Sequence, residues 1–337
     1  MEELNIFETK TNEDETWIQP LIGKGKCKKG QRKKWKKNLF FEQDLLEIRA
    51  RELGNDGFLQ MYAAYSPSQI AKFFEKIKEH VIRPKETFVH ARNKLLLWLD
   101  RNHNQLGWNQ CSRAYKIGRS TAKGYVKDVE RGILTAFRGT DIIKWPTENE
   151  KRQMVEILKL KNAPMPQVPM SLDGKHARCL GKHHNERSSW KLRFQPCFNC
   201  LFIIERVFGT VVAFNLDKNA RKHDIRILRE SEFYQNIDEI MGGWYILADK
   251  GYIGVDVRSV VPAMDKKKMK QRKRWPKLFW KEFNDARNDS ERTFSHFFYN
   301  KFSILGNWQG KSRDTFVEWS SCVVCCIIMW NYLKISN

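Results

Sequence analysis

Asp173 in SLDGKHARCL (171–180) follows an apolar run and precedes a glycine. Asp249 in GGWYILADKGYIG (242–254) closes a second apolar run, and Glu291 lies in KEFNDARNDSERTFSHFF (281–298). Hard divalent cations take oxygen ligands, and two such ions about 4 Å apart can activate a water and stabilise a leaving oxygen at phosphorus. Two aspartates and a glutamate brought together would supply the compact negative charge this chemistry needs. Each carboxylate also has a plainer reading: Asp–Gly is a common turn pair, Asp249 can accept local backbone N–H bonds, and Glu291 can be an exposed helix residue. His176, beside Lys175, can contact phosphate, assist a proton movement or make a structural hydrogen bond. Asp224 can cap the helix that begins DIRILRES.

For the three carboxylates to meet, strands and a helix must carry them. A short strand is expected to end near Asp173. The run 190–216 supplies further strands with Gly209 near a turn, and 242–254 gives a strand whose carboxyl end presents Asp249. Glu291 falls in a helix-compatible segment. Strands followed by helices make a mixed α/β domain.

Upstream the pattern is helical, over 40–63, 67–81, about 86–100 and 148–160. Pro84 is a break, and Pro164, Pro166 and Pro169 mark a connector at 161–170. Between 106 and 137 two helical stretches flank KIG. Ser120 or Thr121 can cap the second, and Ala122, Tyr125, Val126, Val129, Ile133 and Leu134 recur at helical spacing as a packing face. The pair is either a helix-turn-helix, with Arg119, Lys123 and Lys127 facing bases or phosphates, or an ordinary structural hairpin.

With 41% apolar and 12% aromatic residues, the chain can bury a substantial core, so disorder is not the default. Sixty-one Lys and Arg against 39 Asp and Glu give a net charge of +22, which favours a polyanionic partner; an anionic membrane is the weaker alternative. Basic runs at 23–38 and 264–280 can track a phosphate backbone or remain solvated loops, and the first can also act as a nuclear import signal. The amino terminus is acidic and polar, and no stretch reaches about 18 consecutive apolar residues, so a soluble intracellular protein is expected. Residues 315–333 read as a buried terminal helix. The eight cysteines suit reduced thiols. CFNC (197–200) with His176, Cys179 or His183 has the makings of a zinc set, but it sits in an apolar run where cysteine serves as a small hydrophobe, and structural zinc is not expected.

SLDGKHA (171–177), RKHDIRILRES (221–231), ILADKGYIG (246–254) and ARNDSERTF (286–294), in that order, resemble the Harbinger-type transposases and related DDE superfamily endonucleases. KWPTENE (144–150) is similar to the family's approach to its first catalytic strand, and 106–137 to its helix-turn-helix. The resemblance implies an RNase-H-like catalytic domain whose metal-binding carboxylates are Asp173, Asp249 and Glu291, with Glu282 the fallback should the helix register differ. It implies that Arg287 orients Glu291 or meets phosphate, and that His223 and Asp224 have a supporting role. Lys175 stands where relatives often carry a hydroxyl residue.

The chain is therefore expected to comprise a flexible acidic then basic arm (1–38), a helical DNA-binding region (39–140), a helix and connector (141–170) and an RNase-H-like DDE nuclease domain (171–335). The expected activity is a transposase-like DNA endonuclease using two Mg²⁺ or Mn²⁺ ions for phosphodiester hydrolysis, with strand transfer as a further step. Its partner is DNA, as a terminal-repeat sequence, bound by a homodimer or higher synaptic complex with or without a separate DNA-binding protein. The location would be the nucleus in a eukaryotic host and otherwise the cytoplasm or nucleoid. The alternatives are a domesticated, catalytically inactive DNA-binding protein and a nuclease that cuts without transposing.

Overall fold

Several of the amino-terminal helices start where side chains can satisfy their free N–H groups. The computed structural model describes residues 42–62, 65–179, 188–189, 195–219, 222–263, 277–305, 307–308 and 315–336. The basic runs at 23–38 and 264–276 and His183 lie outside them. Asp44 caps α1 (Leu45–Met61). Ser66 and Gln69 form a capping box ahead of α2 (Pro67–Val81), with Pro67 in the first turn. Ile70, Phe73, Phe74, Ile77 and Val81 then form its buried stripe. Thr87 caps α3 (Phe88–His103), and α4 (Trp108–Ala114) turns into α5 (Arg119–Ala136). Gly118, not Ser120 or Thr121, is the cap residue of α5: the helix starts two residues earlier than a Ser120 cap would have it, and three earlier than a Thr121 cap. Ala122, Tyr125, Val126, Val129 and Ile133 are buried as their spacing predicts, whereas Leu134 lies past the edge of the packed face and is exposed. Thr147 and Glu150 box the start of α6 (Glu148–Leu160).

The second half is built on strands β1 (Met170–Cys179), β2 (Ser188–Ser189), β3 (Gln195–Glu205), β4 (Val211–Asp217), β5 (Ile246–Ala248), β6 (Val260–Pro262) and β7 (Asn307–Trp308). Helices α7 (Asp224–Arg229), α8 (Ile237–Met241), α9 (Lys277–Ser295) and α10 (Thr315–Ile335) accompany them. β1 is central, antiparallel to β3, which pairs antiparallel with β4, and parallel to β5, which pairs parallel with β6. This mixed α/β architecture, a central sheet flanked by helices, is consistent with an RNase-H-like fold. β1 does not end near Asp173. It runs on to Cys179 because β3 continues to supply partners, as far as Arg178 opposite Cys197.

Strand alternation divides the core. On β3, Phe198, Cys200, Phe202 and Ile204 face the layer formed by the amino-terminal helices and α10, while Leu201 and Ile203 face α7 and α8. The helical region and one face of the sheet thus share a continuous apolar cluster. Among the described residues α10 is the one helix whose length and composition would suit a bilayer. Its Trp319, Cys322, Cys326 and Trp330 are instead buried, and it packs on α2, α5 and β4. Asn331 ties it to the sheet through bonds with the N–H and carbonyl of Val211.

Candidate active site

The parallel ladder between β1 and β5 stops at Leu172 opposite Ala248, and the next residue on each strand is an aspartate. Asp173 and Asp249 therefore stand side by side just past the last paired step of two adjacent parallel strands, Asp249 after the end of β5 and Asp173 within β1. α9 packs on both strands and brings Glu291 to them. Ser171, Asp173, Asp249, Arg287, Ser290 and Glu291 line one cleft of about 10 Å³, room for about one water.

Each carboxylate is already engaged. Asp173 Oδ1 accepts the Gly174 N–H at 2.9 Å, and its Oδ2 lies 2.8 Å from the Lys175 ammonium. Asp249 Oδ1 accepts the Lys250 N–H at 2.6 Å and Arg287 Nη1 at 2.9 Å. The other guanidinium nitrogen, Nη2, donates to Glu291 one helical turn on, so Arg287 bridges a strand-end aspartate and the helix glutamate. Its Nε is buried without a hydrogen-bond partner in the described structure. Burial raises the pKa of Asp173 above the usual aspartate range; Lys175 opposes the shift and the nearby charge of Glu291 adds to it.

The donor set suits a hard divalent cation: three carboxylates on one cleft, their charge partly met by an ammonium and a guanidinium. In this conformation they do not close on one point, since among the described residues no group of three or more His, Cys, Asp or Glu side chains could hold a metal ion.

The supporting residues fall elsewhere. Alternation along β1 sets His176 on the face opposite Asp173 and Lys175, and it does not line the cleft. His223 is the exposed cap residue of α7 and makes no side-chain capping bond. Asp224 is the first residue of that helix rather than its cap. Its carboxylate lies against two glycines: a Cβ on Gly174 would come 3.0 Å from its Oδ1, and one on Gly251 would come 2.9 Å from its Oδ2. These glycines follow the two aspartates closely in sequence, so Asp224 packs against the backbone just after each of them. The Tyr252 hydroxyl is buried beside this group, has no hydrogen-bond partner in the described structure, and is held well above the usual tyrosine pKa by burial and by Asp224, Asp173 and Asp249. Glu282, nine residues before Glu291 and on the opposite side of α9, lines a separate groove with Asp285 and Arg292. The pattern HD, with Asp–Gly and Lys–Gly–Tyr elsewhere, held no sign that Asp224 would fill the space left by two glycines.

Arg119, Lys123 and Lys127 recur every fourth residue of α5 and are exposed on one face, which Arg131 extends. Lys123 lies 5.6 Å from the Trp108 ring centroid, and Lys127 lies 3.8 Å from Glu318 of α10. Cys197 and Cys200 are buried on β3, where the Cys200 thiol donates to the Lys175 carbonyl at 3.0 Å and burial pushes its pKa up.

Residues 172–331 match the model of the family described as DDE superfamily endonuclease. The match includes all three cleft carboxylates and suggests a distant relation to the DDE transposase superfamily. Comparison with curated proteins and with solved structures found no match to the chain.

Proposed function

We propose that this chain is a metal-dependent DNA endonuclease of the transposase type, which hydrolyses phosphodiester bonds and can pass a strand to a new 3′-hydroxyl. The reading rests on one observation: Asp173, Asp249 and Glu291, from two parallel strands and a helix, line a single cleft within the stretch that matches the DDE endonuclease family. Asp173, Asp249 and Glu291 would hold the divalent cations, which when bound supply Lewis-acid stabilisation of charge at phosphorus and a water acidified for attack. Arg287 keeps Asp249 and Glu291 in register with each other and, once released from either, has a free donor edge for a phosphate oxygen. The excess of positive charge and the stripe Arg119, Lys123 and Lys127 supply backbone contacts that bring terminal-repeat DNA to the protein, with two chains joining two element ends.

The contracted cleft, in which no three acidic side chains are arranged to hold an ion, favours a second reading: an inactive DNA-binding relative. Incubating the full chain with terminal-repeat duplex and Mg²⁺ or Mn²⁺, alongside Asp173→Asn and Asp249→Asn, separates the two. Cleavage by the unaltered chain that both variants lose supports the nuclease. Binding by all three forms with cleavage by none would establish the binding protein instead.

A further inference from the structure

Lys175 is held against two residues that line the cleft, Asp173 and Phe294. It stands two residues after Asp173 on the same face of β1, and its Nζ is 2.8 Å from Asp173 Oδ2. The two side chains are 21% and 18% exposed, so the pair is largely withdrawn from water. The ammonium also lies 5.8 Å from the ring of Phe294, on the helix that carries Glu291, and the Lys175 carbonyl is held by the buried Cys200 thiol. Asp173 therefore has one oxygen on the Gly174 N–H and the other on a built-in cation.

The charges of the site point the same way. Three carboxylates with one ammonium and one guanidinium leave a single negative charge. One divalent ion converts this to a single positive charge, which one phosphodiester cancels. Two divalent ions would leave two positive charges uncompensated in a half-buried cleft, where unpaired charge is costly.

We infer that Lys175 is a resident cation standing in for one of two divalent ions, so that the acid cluster of this chain binds a single metal. This rests on the reading of the cleft as a divalent-cation site. The test is Mn²⁺ binding to the full chain without DNA, counted by electron paramagnetic resonance of free Mn²⁺. The Asp173→Asn/Asp249→Asn double variant serves to subtract sites elsewhere. The unaltered chain should hold one Mn²⁺ that the double variant lacks, Lys175→Arg should also hold one, and Lys175→Met should hold two. Two cleft ions in the unaltered chain, or equal counts for Lys175→Arg and Lys175→Met, would overturn the inference while leaving the metal site standing. If the double variant binds as many ions as the unaltered chain, the cleft is no metal site and both readings fall. Lys175→Gln repeats the Met arm should that variant fail to fold.

Discussion

Leu172 of β1 and Ala248 of β5 form the last step of the parallel ladder, and the residue after each is an aspartate of the cleft. The separation of Asp173 and Asp249 is therefore set by strand spacing rather than by loop conformation. Buried ladder residues fix the register, because a slip of one residue would turn Leu172 and Ala248 out of the core and the aspartates into it. The third carboxylate comes from α9, whose rotation about its axis decides which acidic residue faces the strands.

That rotation separates Glu291 from Glu282. Glu291→Gln should lower DNA cleavage by about 100-fold or more, the scale of losing one group that stabilises transition-state charge. Glu282→Gln, on the far side of α9, should leave the rate nearly unchanged. Single-turnover cleavage at saturating Mg²⁺ measures both, and a larger loss for Glu282→Gln would mean that α9 is rotated in the working enzyme.

Asp224 and Gly174 should be energetically coupled. Gly174→Ala places a methyl 3.0 Å from the Asp224 carboxylate and should destabilise the chain by about 1–3 kcal/mol. In an Asp224→Ala background the same substitution should cost much less, a coupling detectable by urea denaturation of the four proteins of the cycle. Additive effects would show that Asp224 yields freely and does not set the packing against the backbone that follows the two aspartates.

Much of this architecture was legible in local patterns. The segment 67–81, with Pro67 near its start and Pro84 as the break beyond it, matches α2 to the residue, and Gly209 marked the β3–β4 turn, where its φ is +76°. The extent of β1 was hidden, because whether a strand continues beyond Asp173 depends on β3, a distant segment that pairs with it. For the same reason the side of the sheet that His176 takes was not legible. Once β1 is known to run straight through, alternation alone gives Lys175 to Asp173 and sends His176 to the other face. The start of α5 at Gly118 was missed because hydroxyl residues are stronger cap signals than glycine, although the described structure shows no side-chain capping bond there.

The raised pKa of Asp173 has a consequence for stability. Well below the usual aspartate pKa of about 4 the carboxyl is protonated in folded and unfolded chains alike, and it contributes no difference. As pH rises, the unfolded chain releases its proton first, so stability falls until the folded carboxyl has ionised and then stays lower. Asp173→Asn cannot ionise. Without metal it should therefore be more stable than the unaltered chain at pH 7, with the gain shrinking toward pH 4. Urea midpoints at the two pH values in the presence of a chelator measure this, and a variant less stable at pH 7 would sink the argument.

In the helical region Asp100 anchors a buried network. Arg49 Nη1 lies 2.8 Å from its Oδ2, and the Tyr115 hydroxyl donates to the same oxygen at 2.5 Å. Asp100→Ala leaves the Arg49 guanidinium buried without its carboxylate and should cost about 3–5 kcal/mol. Replacing both, as Arg49→Met with Asp100→Leu, should cost less than Asp100→Ala alone. Chemical denaturation of the three proteins checks the order, and a double variant weaker than Asp100→Ala would show that packing around Arg49, not its charge, dominates.

The stripe on α5 makes a graded prediction for DNA binding. If Arg119 and Lys123 meet phosphates, neutralising either should lower the slope of log K against log salt by about 0.9 and weaken binding similarly across sequences. Lys127 lies 3.8 Å from Glu318, so part of its charge is already answered within the protein and Lys127→Ala should change the slope less. Glu318→Gln removes that competitor and should steepen the slope. Fluorescence anisotropy over a salt series with one labelled duplex measures all four variants. Unchanged slopes for Arg119→Ala and Lys123→Ala would assign α4 and α5 to packing alone and leave DNA contact to other parts of the chain.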